Sequence, residues 1–466
     1  MTHPCARPPR LRGTVRKAVA AVLAAAALPT ALACGGPADT TRSPEGTRTA
    51  RSAPASPLAR AEEEDRTAGP ASASPASASP ASASPASASP AQASPSGSPG
   101  AGGNFPALSG DVVKKLDGAM ADTLKRTGVP GAIVGLWAPG KGSYVRALGV
   151  ADTKSKARMS PDLNMRIGSE TKTFTVTALL TLVDRKKAGL DDPVSRYVDG
   201  VPGGDGITLR QLAEMRSGLY NYTDDPNFQK ALKADPNRGF VPAELLAYAF
   251  QHPSQATPGS RFQYSNTNTV LLGLVIEKAS GMPFGDYLRR DVLDPAKLKH
   301  TVFPAGRAFP NPHAHGYTRQ TKDGKEGDAT NWDPSWAWAA GAMVSDQQDL
   351  RAWARIVADG TLLSKATQAQ RTTFLPTSYP GIGYGLGLFD NHGWIGHNGS
   401  LPGYQSTAVY LPDAKATMVV LLNTDTAVGG SEPSSLFAEA MTKIVTPDHV
   451  YAFPPTNGTG TSPSSS

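Results

Sequence analysis

The sequence predicts an α/β fold in which one antiparallel sheet is flanked by the first and last helices, with a mostly helical lobe in the middle of the chain. Two observations indicate this arrangement. Segments rich in β-forming residues occur only in two blocks, at residues 131–150 and 383–422, and the chain between them is largely helical with Pro/Gly-rich loops. A helix is predicted before the first block and another after the second, so a single sheet built from both blocks would be flanked by both.

The first 33 residues have the pattern of a secretory signal. Basic residues come first, and the apolar run at 18–33 behind them is too short to span a bilayer comfortably. Cys34 follows Ala31-Leu32-Ala33 at once, which is the layout of a lipoprotein signal, although Ala31 stands where Leu is usual. We therefore expect an exported protein. It is either a cell-envelope lipoprotein, lipidated on Cys34 and held at the outer face of the cytoplasmic membrane, or simply secreted.

Residues 34–103 carry this cysteine and a low-complexity linker. A Ser-Pro-Ala-Ser-Ala repeat runs from Pro70 to Pro95, and a segment with so few apolar side chains cannot offset the entropy cost of ordering. In the polyproline II conformation, at about 3.1 Å per residue, the linker would reach up to roughly 200 Å. Once the signal is removed Cys34 is the only cysteine, so no disulfide can form within the mature chain.

The net charge of +7 does not indicate a nucleic-acid partner. Residues 1–103 hold ten basic and six acidic residues, and residues 104–466 hold 36 basic and 33 acidic residues. The folded part is therefore nearly neutral with mixed charges, and the basic balance mostly reflects the signal.

The predicted domain, residues 104–447, begins with a helix capped by Ser109 and continues into a hairpin. The hairpin strands are expected at 131–137 and 144–150, joined by a turn at 139–142. Later strands are expected at 383–389, 393–400, 404–410 and 417–422, with 393–400 at an edge and a helix at 434–444 behind them. Residues 448–466 are predicted to be a disordered tail.

The stretch 166–172 opens a nearly continuous apolar run at 174–183 and contains Ser169 and Lys172. If Ser169 begins a helix, Lys172 follows about one turn later on the same face, so the hydroxyl and the amine can meet. A hydroxyl needs an adjacent base to act as a nucleophile, and burial would lower the pKa of Lys172 and let it accept a proton. The alternative is a solvated lysine one turn past a capping serine.

Two later segments contain further candidate residues. Tyr264-Ser265-Asn266 lies between a turn and an apolar helix, where Tyr264 would carry a proton and Asn266 would donate to a substrate carbonyl. The alternative is a helix N-cap.

The last segment, residues 397–400, lies in the predicted edge strand. Gly399 would let a substrate backbone pair with this strand, and His397 would supply a titrating group at its start. The alternative is a structural histidine, which is the commoner case. No histidine spacing in the sequence indicates a metal site.

Ser-x-x-Lys, Tyr-Ser-Asn and His-x-Gly, in that order, resemble the motifs of the penicillin-recognising serine hydrolases, the β-lactamase class C and D-alanyl-D-alanine carboxypeptidase family. The resemblance covers roughly residues 108–445. It is closest to the soluble serine-type D-alanyl-D-alanine carboxypeptidase, whose third motif begins with His. It implies the β-lactamase/transpeptidase-like fold and acyl transfer to a serine followed by hydrolysis, with no metal and no cofactor.

The resemblance also implies a role for each site residue. Ser169 would be the nucleophile, Lys172 its base partner and Tyr264 the proton relay to the leaving amine. Which of Lys172 and Tyr264 is the general base stays open. The backbone N–H groups of Ser169 and Ser400 would form the oxyanion hole. Substrate binding would involve Asn266, Trp336, His397, Asn398, Gly399 and Ser400.

Two positions depart from the carboxypeptidase pattern. Asn398 stands where that family has Thr, and Phe389 and Asp390 stand where an Arg would help to bind the substrate's terminal carboxylate. Both departures weaken the prediction of carboxylate recognition. If His397 helps to bind an anionic group, activity should fall as the pH rises through roughly 6 to 7.

We therefore expect an exported, monomeric D-alanyl-D-alanine carboxypeptidase that acts on peptidoglycan stem peptides and is acylated by β-lactams such as penicillin. A β-lactamase or an esterase of the same family is the alternative among enzymes. A stalked sensor that only binds peptidoglycan or penicillin is the alternative of another class, although a pure binder has no use for a proton relay. We expect a membrane link only through the lipid anchor.

Overall fold

Residues 105–455 are described by the structure, a computed structural model. The predicted signal at 1–33, the lipid-attachment Cys34, the linker to residue 103 and the end of the predicted tail at 456–466 lie outside the described residues. Within 105–455, no helix is both long and apolar enough to cross a bilayer.

The described chain begins with a helix and a hairpin, continues through a mostly helical middle and ends in consecutive strands followed by a last helix. The strands are β1 (Gly131–Ala138), β2 (Gly142–Gly149), β3 (Met165–Arg166), β4 (Tyr317–Thr318), β5 (Gly327–Asp328), β6 (Val344–Ser345), β7 (Leu375–Pro376), β8 (Ile382–Tyr384), β9 (Phe389–Asn391), β10 (Trp394–Leu401), β11 (Tyr404–Leu411) and β12 (Ala416–Leu422). The helices are α1 (Gly110–Thr127), α2 (Thr171–Asp184), α3 (Leu209–Ala213), α4 (Pro226–Ala234), α5 (Pro242–Phe250), α6 (Asn266–Ser280), α7 (Phe284–Leu288), α8 (Asp294–Ala296), α9 (Trp338–Gly341), α10 (Gln347–Asp359), α11 (Lys365–Arg371) and α12 (Pro433–Val445).

Eight strands form one antiparallel sheet in the order β2-β1-β12-β11-β10-β9-β8-β7. The early hairpin joins the late strands through β1 and β12, in a register that pairs Val134 with Val420. This confirms the predicted single sheet made from both ends of the chain. The short pairs β3-β6 and β4-β5 lie outside it.

Both faces of the central strands are buried, because successive side chains of a strand point to opposite sides. On one face, Val134 and Val420 pack in a core with residues of α1 and α12. On the other face, Ile133 and Val419 belong to a core that includes residues of α2 and α10. The first and last helices thus cover the same face, and the helical lobe covers the other.

Helix α2 is the central helix of this lobe, and nearly all of its side chains are buried. Phe174 stacks on Trp353 of α10 with ring centroids 3.9 Å apart, and the indole N–H of Trp353 donates to Thr173 Oγ1. The Thr175 and Thr177 hydroxyls donate to backbone oxygens one turn earlier, so they tolerate burial. Packing on all sides therefore holds the start of α2, which carries the Ser-x-x-Lys pair, in place.

Strand β10 is not the predicted edge strand. It pairs with β11 along its length and with β9 at Trp394–Gly396, so the sheet edges are β2 and β7. The second half of β10, from His397 onward, has no partner on the β9 side within the described residues. That open half contacts the turn before α2.

The predicted disordered tail begins too early. Tyr451 is buried, Phe453 contacts the rings of Phe389 and Tyr379, and the backbone of Ala452 exchanges hydrogen bonds with the Asn391 side chain. Two aromatic side chains bury enough apolar surface to hold this segment against the sheet. The domain therefore extends beyond residue 447.

Candidate active site

Ser169 lies in the 3-10 turn Gly168–Glu170 directly before α2 and is 3% exposed. Gly168 adopts φ +52°, in the left-handed region that favours glycine. A Cβ on Gly168 would lie 2.7 Å from the amide nitrogen of Ser400 in β10. Glycine is therefore required for the turn to approach the strand this closely, and the approach places Ser169 beside Ser400.

The Lys172 amine contacts three oxygen atoms. Its Nζ lies 2.9 Å from Ser169 Oγ, 2.7 Å from Asn266 Oδ1 and 2.8 Å from the Ala340 carbonyl oxygen. The residue is fully buried, and burial lowers the pKa of Lys172 well below its ordinary value.

These contacts suit an uncharged amine. The Asn266 and Ala340 oxygens can only accept, so they take two N–H groups of the amine, and the third position on the nitrogen faces Ser169 Oγ. In the neutral amine, which burial favours, this third position is the lone pair. Lys172 can accept the proton of Ser169 as the oxygen attacks a carbonyl carbon. Lys172 thus lies within hydrogen-bonding distance of Ser169, and burial favours the neutral form that a base partner needs.

The Tyr264 ring lies beside Lys172, with the amine nitrogen 4.9 Å from the ring centroid. Its hydroxyl is buried without a hydrogen-bond partner of ordinary geometry among the described residues. Burial, reinforced by Tyr384, raises the pKa of Tyr264 well above its ordinary value, and the nearby Ser169 hydroxyl acts in the opposite direction. The phenol is therefore protonated, which suits a proton relay better than a general base.

Helix α6 presents Asn266 to the site. Ser265 is its N-cap residue, so the N-cap interpretation is correct for that position, while Asn266 still reaches Lys172. The Asn266 backbone N–H donates to Asn221 Oδ1 and its side-chain amide donates to Thr223 Oγ1 at 3.3 Å. These contacts hold the side chain in one orientation, with its oxygen toward the amine of Lys172.

Gly399 and Ser400 bring the open half of β10 against the Ser169 turn. A Cβ on Gly399 would overlap the carbonyl oxygen of Ile167, and Ser406 Oγ of the next strand donates to that same oxygen at 2.8 Å. Within residues 105–455 the Ser169 amide N–H has no acceptor. The two backbone donors predicted for the oxyanion hole therefore lie at one place in the structure.

His397 does not supply the predicted titrating cation. It is 1% exposed, its Nδ1 donates to the Asn398 carbonyl at 2.5 Å, and its Nε2 accepts from the Tyr384 hydroxyl at 3.3 Å. Burial lowers the pKa of His397 to about 3, and any charge on Lys172 acts in the same direction. The ring stays neutral between pH 6 and 7, so the expected loss of activity in that range does not arise from His397.

The Asn398 side chain lies on the opposite face of the sheet from Ser169. In the register of β10 with β11, Gly399 pairs with Ser406 on the site face, and Asn398 pairs with Thr407 on the other face. The Asn398 side-chain amide donates to Glu432 at the start of α12 at 2.9 Å. Strand alternation thus directs the Asn398 side chain toward α12, and only the backbone of Asn398 is left to contact a substrate beside Ser169.

A cavity of about 380 Å³ adjoins the site, and Asn266, Ser400 and Trp336 line it. Trp336 thus lies where the predicted contact with substrate requires. Lys233 of α4 and Arg319, just after β4, line the same cavity. Sequence reasoning missed both, because no motif surrounds them and only tertiary packing brings them to Ser400.

Glu170, inside the Ser-x-x-Lys segment, is a third residue that sequence reasoning missed. Its side chain is 1% exposed and its Oε1 accepts from the Ala408 N–H of β11 at 2.7 Å. Burial raises the pKa of Glu170 well above its ordinary value. This contact ties the turn that carries Ser169 to the sheet.

One group of possible metal ligands occurs in the described part of the chain: His300, Asp346 and Asp349. His300 Nδ1 bonds Asp346 at 2.6 Å, and Asp349 accepts from the backbone N–H groups of His300 and Thr301. These hydrogen bonds explain why the three side chains lie close together without a metal ion. The group shares no residue with the site around Ser169.

Sequence comparison with known proteins covers most of the described residues. The beta-lactamase family profile matches residues 116–435. Protein flp from Staphylococcus aureus is 27% identical over 332 residues, which are 68% of this chain and 64% of flp. The putative penicillin-binding protein PbpX from Bacillus subtilis is 25% identical over 283 residues, which are 60% of this chain and 66% of PbpX. The chain thus spans less than two thirds of the length of these relatives.

Solved structures share the fold. A D-stereospecific amidohydrolase from Streptomyces sp. is 33% identical with a TM-score of 0.63, and the match covers 72% of this chain and 97% of that one. The D-amino acid amidase from Ochrobactrum anthropi, solved with D-phenylalanine, is 26% identical with a TM-score of 0.65, and 72% and 99% of the two chains are covered. The predicted β-lactamase-like fold is therefore confirmed.

Proposed function

The chain belongs to the beta-lactamase family of penicillin-recognising serine hydrolases, and we propose that it removes the terminal D-alanine from peptidoglycan stem peptides through an acyl-enzyme on Ser169. One observation carries the proposal: the buried Lys172 nitrogen lies 2.9 Å from Ser169 Oγ, and burial lowers the pKa of Lys172 well below its ordinary value. The names of the solved relatives, a D-stereospecific amidohydrolase and a D-amino acid amidase, support a substrate of D configuration.

The reaction follows from these positions. Ser169 Oγ attacks the scissile carbonyl carbon and its proton passes to Lys172. The oxyanion that forms is held by the backbone N–H groups of Ser169 and Ser400. Tyr264 donates its proton to the leaving D-alanine nitrogen and regains one from Lys172. In the net transfer, Ser169 loses a proton and the leaving D-alanine gains one. Water then hydrolyses the ester and frees Ser169.

The nucleophile is tested by Ser169→Ala. We expect this variant to lose covalent labelling by a fluorescent penicillin completely, because Ser169 carries the hydroxyl that hydrogen-bonds Lys172 in the described residues. Its thermal unfolding should resemble that of the wild type, and Ser260→Ala, at an exposed serine, should label normally. Labelling that persists in Ser169→Ala would disprove the assignment.

A D-amino-acid amidase is the second candidate. Phe389 and Asp390 replace the expected arginine, and Asn398 points away from the site, so these motif positions supply no carboxylate-binding side chain. Product analysis with a diacylated Lys-D-Ala-D-Ala peptide beside a D-amino acid amide distinguishes the two. Release of D-alanine supports the carboxypeptidase, and release of ammonia alone supports the amidase.

The same product analysis, extended to a cephalosporin and an ester, distinguishes the remaining alternatives: a β-lactamase, an esterase and a sensor that only binds. Rapid turnover of a cephalosporin or an ester, with slow turnover of the peptide, would favour a β-lactamase or an esterase. Stable labelling without turnover of any substrate would favour a sensor. The buried Tyr264 hydroxyl near Ser169, with its ring beside Lys172, supports an enzyme, because binding alone does not need a proton relay.

We further propose that the protein acts outside the cytoplasmic membrane, either lipidated on Cys34 or secreted, from the signal pattern and the linker behind it. Palmitate labelling of the wild type and of Cys34→Ala tests the anchor. The monomeric state stays a prediction, since a penicillin-binding protein homologue from Pyrococcus abyssi, 27% identical, is octameric.

A further inference from the structure

A groove with a volume of about 520 Å³ lies beside the end of β1, away from the active site. Trp137 of β1 lines it together with Asn164, just before β3, and Gln347, the first residue of α10. A second groove of about 710 Å³ shares the side chains of Trp137, Gln348 and Arg351 with the first. The two grooves therefore adjoin, and we call the first one the amide groove.

The register of the sheet separates the amide groove from the active site. Trp137 pairs with Thr417 of β12, and Thr417 pairs with Tyr410 of β11. Tyr410 pairs with Ile395 of β10, and Ser400 lies five residues further along that strand. Five residues at about 3.3 Å each and three strand spacings of about 4.8 Å each place the two sites about 20 Å apart. A ligand can therefore occupy the groove without entering the active site.

Gln347 provides the groove with an unpaired donor. The residue is 4% exposed, and its Nε2 is buried with no hydrogen-bond partner among the described residues. Gly135 makes room for this amide, because a Cβ on Gly135 would lie 2.7 Å from Nε2 and would overlap the ring of Trp137. A buried donor without a partner lowers stability, so a ligand that accepts from it gains a favourable contact.

Asn164 provides an unpaired acceptor. The residue is 6% exposed, and its backbone N–H and its side-chain Nδ2 both donate to the Pro312 carbonyl at 2.9 Å. These two bonds fix the orientation of the side chain, whose Oδ1 is buried without a partner within residues 105–455. One unpaired donor and one unpaired acceptor match a secondary amide, which offers one carbonyl oxygen and one N–H group.

The rest of the lining suits a neutral polar ligand. Asp162, Asp346 and Arg351 bring charges of both signs to the groove. Asp346 already pairs with His300 at 2.6 Å, while Arg351 lies over the Trp137 ring, 4.9 Å from its centroid. Hydroxyl groups can donate to the carboxylates and accept from the guanidinium, and the indole ring adds apolar surface. A few placed polar groups beside an aromatic ring are typical of small-ligand sites.

We propose that the amide groove binds a 2-acetamido sugar of a glycan chain. The acetamido oxygen accepts from Gln347 Nε2, and the acetamido N–H donates to Asn164 Oδ1. The adjoining groove gives neighbouring sugar units room on the other side of Trp137, which favours an oligosaccharide over a single sugar. This site does not involve Ser169, so glycan binding is independent of the proposed hydrolysis. Where both occur, the protein holds the glycan strand while the attached peptide reaches the nucleophile.

Two tetrasaccharides provide matched, uncharged probes. Tetra-N-acetylchitotetraose and cellotetraose share one β-1,4-linked backbone and differ only at carbon 2, which carries an acetamido group in the first and a hydroxyl in the second. We expect the full chain to bind the acetamido sugar about tenfold more tightly, because only its amide satisfies both unpaired groups. Isothermal titration calorimetry measures both affinities. Acetyl-tetraalanine amide, a neutral peptide, offers secondary amides without a sugar ring.

The contribution of the groove is tested by Gln347→Glu. This change replaces the donor nitrogen by oxygen at nearly the same shape, and a carboxylate is favourable in the first turn of α10. The variant should bind the two tetrasaccharides equally. Gln251→Glu makes the same substitution at an exposed position at the end of α5 and should keep the tenfold preference. Wild-type protein acylated by benzylpenicillin should also keep it, because the acyl group occupies the other site.

The outcomes distinguish this inference from the proposed function. Equal binding of the two tetrasaccharides by the wild type, or no binding of either, would overturn the inference, as would tighter binding of the blocked peptide. A preference that survives in Gln347→Glu, or that disappears on acylation, would place the sugar outside the amide groove and overturn the inference too. If penicillin does not label Ser169, the proposed function fails, while the ratio of the two tetrasaccharide affinities still decides the inference.

Discussion

Burial sets the protonation state of each titratable side chain around Ser169. It lowers the pKa of Lys172 and of His397, and it raises the pKa of Glu170 and of Tyr264. In all four side chains the shift favours the neutral form, since desolvation disfavours every charged form. The neutral form of the Lys172 amine can accept a proton, and the backbone N–H donors can stabilise a developing oxyanion.

The state of Lys172 leads to a prediction for pH dependence. Only the neutral amine accepts the serine proton, so the rate of acylation by penicillin should rise with pH through the lowered pKa of Lys172 and then stay level. The midpoint should lie well below 10.5, the ordinary value. Lys172→Ala should slow acylation about 1,000-fold. Stopped-flow acylation at a series of pH values measures both effects, and a midpoint near the ordinary value would contradict a neutral resting amine.

His397 leads to a prediction for stability. Its pKa is about 3 when folded and 6.5 as the ordinary value, so the unfolded chain binds more protons between these values and stability falls as the pH drops below 6.5. From pH 7 to pH 5 the loss of unfolding free energy through this residue should be about 2 kcal/mol. Urea unfolding at both pH values measures it. His397→Gln should lose this part of the pH dependence and His392→Gln, at an exposed position, should keep it.

Three elements converge on the nucleophile: the turn before α2, the start of α6 and the open half of β10. The contact between turn and strand is the closest, because Gly168 and Gly399 have no side chains to separate the two backbones. Two contacts thus position the backbone around Ser169. On one side the turn lies directly against the backbone of β10, and on the other side the turn continues into the buried helix α2. Displacing the turn from β10 would move Ser169, with its own N–H group, away from the N–H donor of Ser400.

Gly168→Ala tests this contact. A Cβ 2.7 Å from the Ser400 nitrogen, at φ +52°, forces the turn away from β10. We expect acylation by penicillin to slow by about 100-fold, the effect of a displacement of about 1 Å. Gly118→Ala is the matched control, because nothing lies within 4 Å of its Cβ in α1. It should acylate normally and gain about 0.5 to 1 kcal/mol of unfolding free energy.

Across the whole molecule, the sheet separates two cores, and the last described segment closes one of them. Tyr451 is 1% exposed and packs in the core that contains residues of α1 and α12. Phe453 contacts Phe389, which lies in one apolar cluster with Tyr264. The end of the domain therefore supports both the sheet and the aromatic side chains behind the site.

Truncating Tyr451 tests this support. Tyr451→Ala should lower the free energy of unfolding by about 3 to 5 kcal/mol, the usual loss for a buried aromatic ring. Val241→Ala, at a side chain that is 61% exposed, should change it by no more than about 0.5 kcal/mol. Urea denaturation measures both. A disordered tail, as expected from the sequence, would instead make the two variants alike.

The sequence alone determined the order of the elements, the single sheet and the pairing of Ser169 with Lys172. These features depend on local spacing: apolar periodicity marks each element, and a separation of three residues at a helix start places two side chains one turn apart.

The tertiary structure decided the remaining features of the site. The 94-residue separation of Lys172 and Asn266 is closed only by packing of α2 on α6, and strand register directs Asn398 away from the site. Burial neutralises His397, and folding brings Lys233 and Arg319 to Ser400. None of these could be read from neighbouring residues, because burial and face depend on contacts between segments that are distant in the chain.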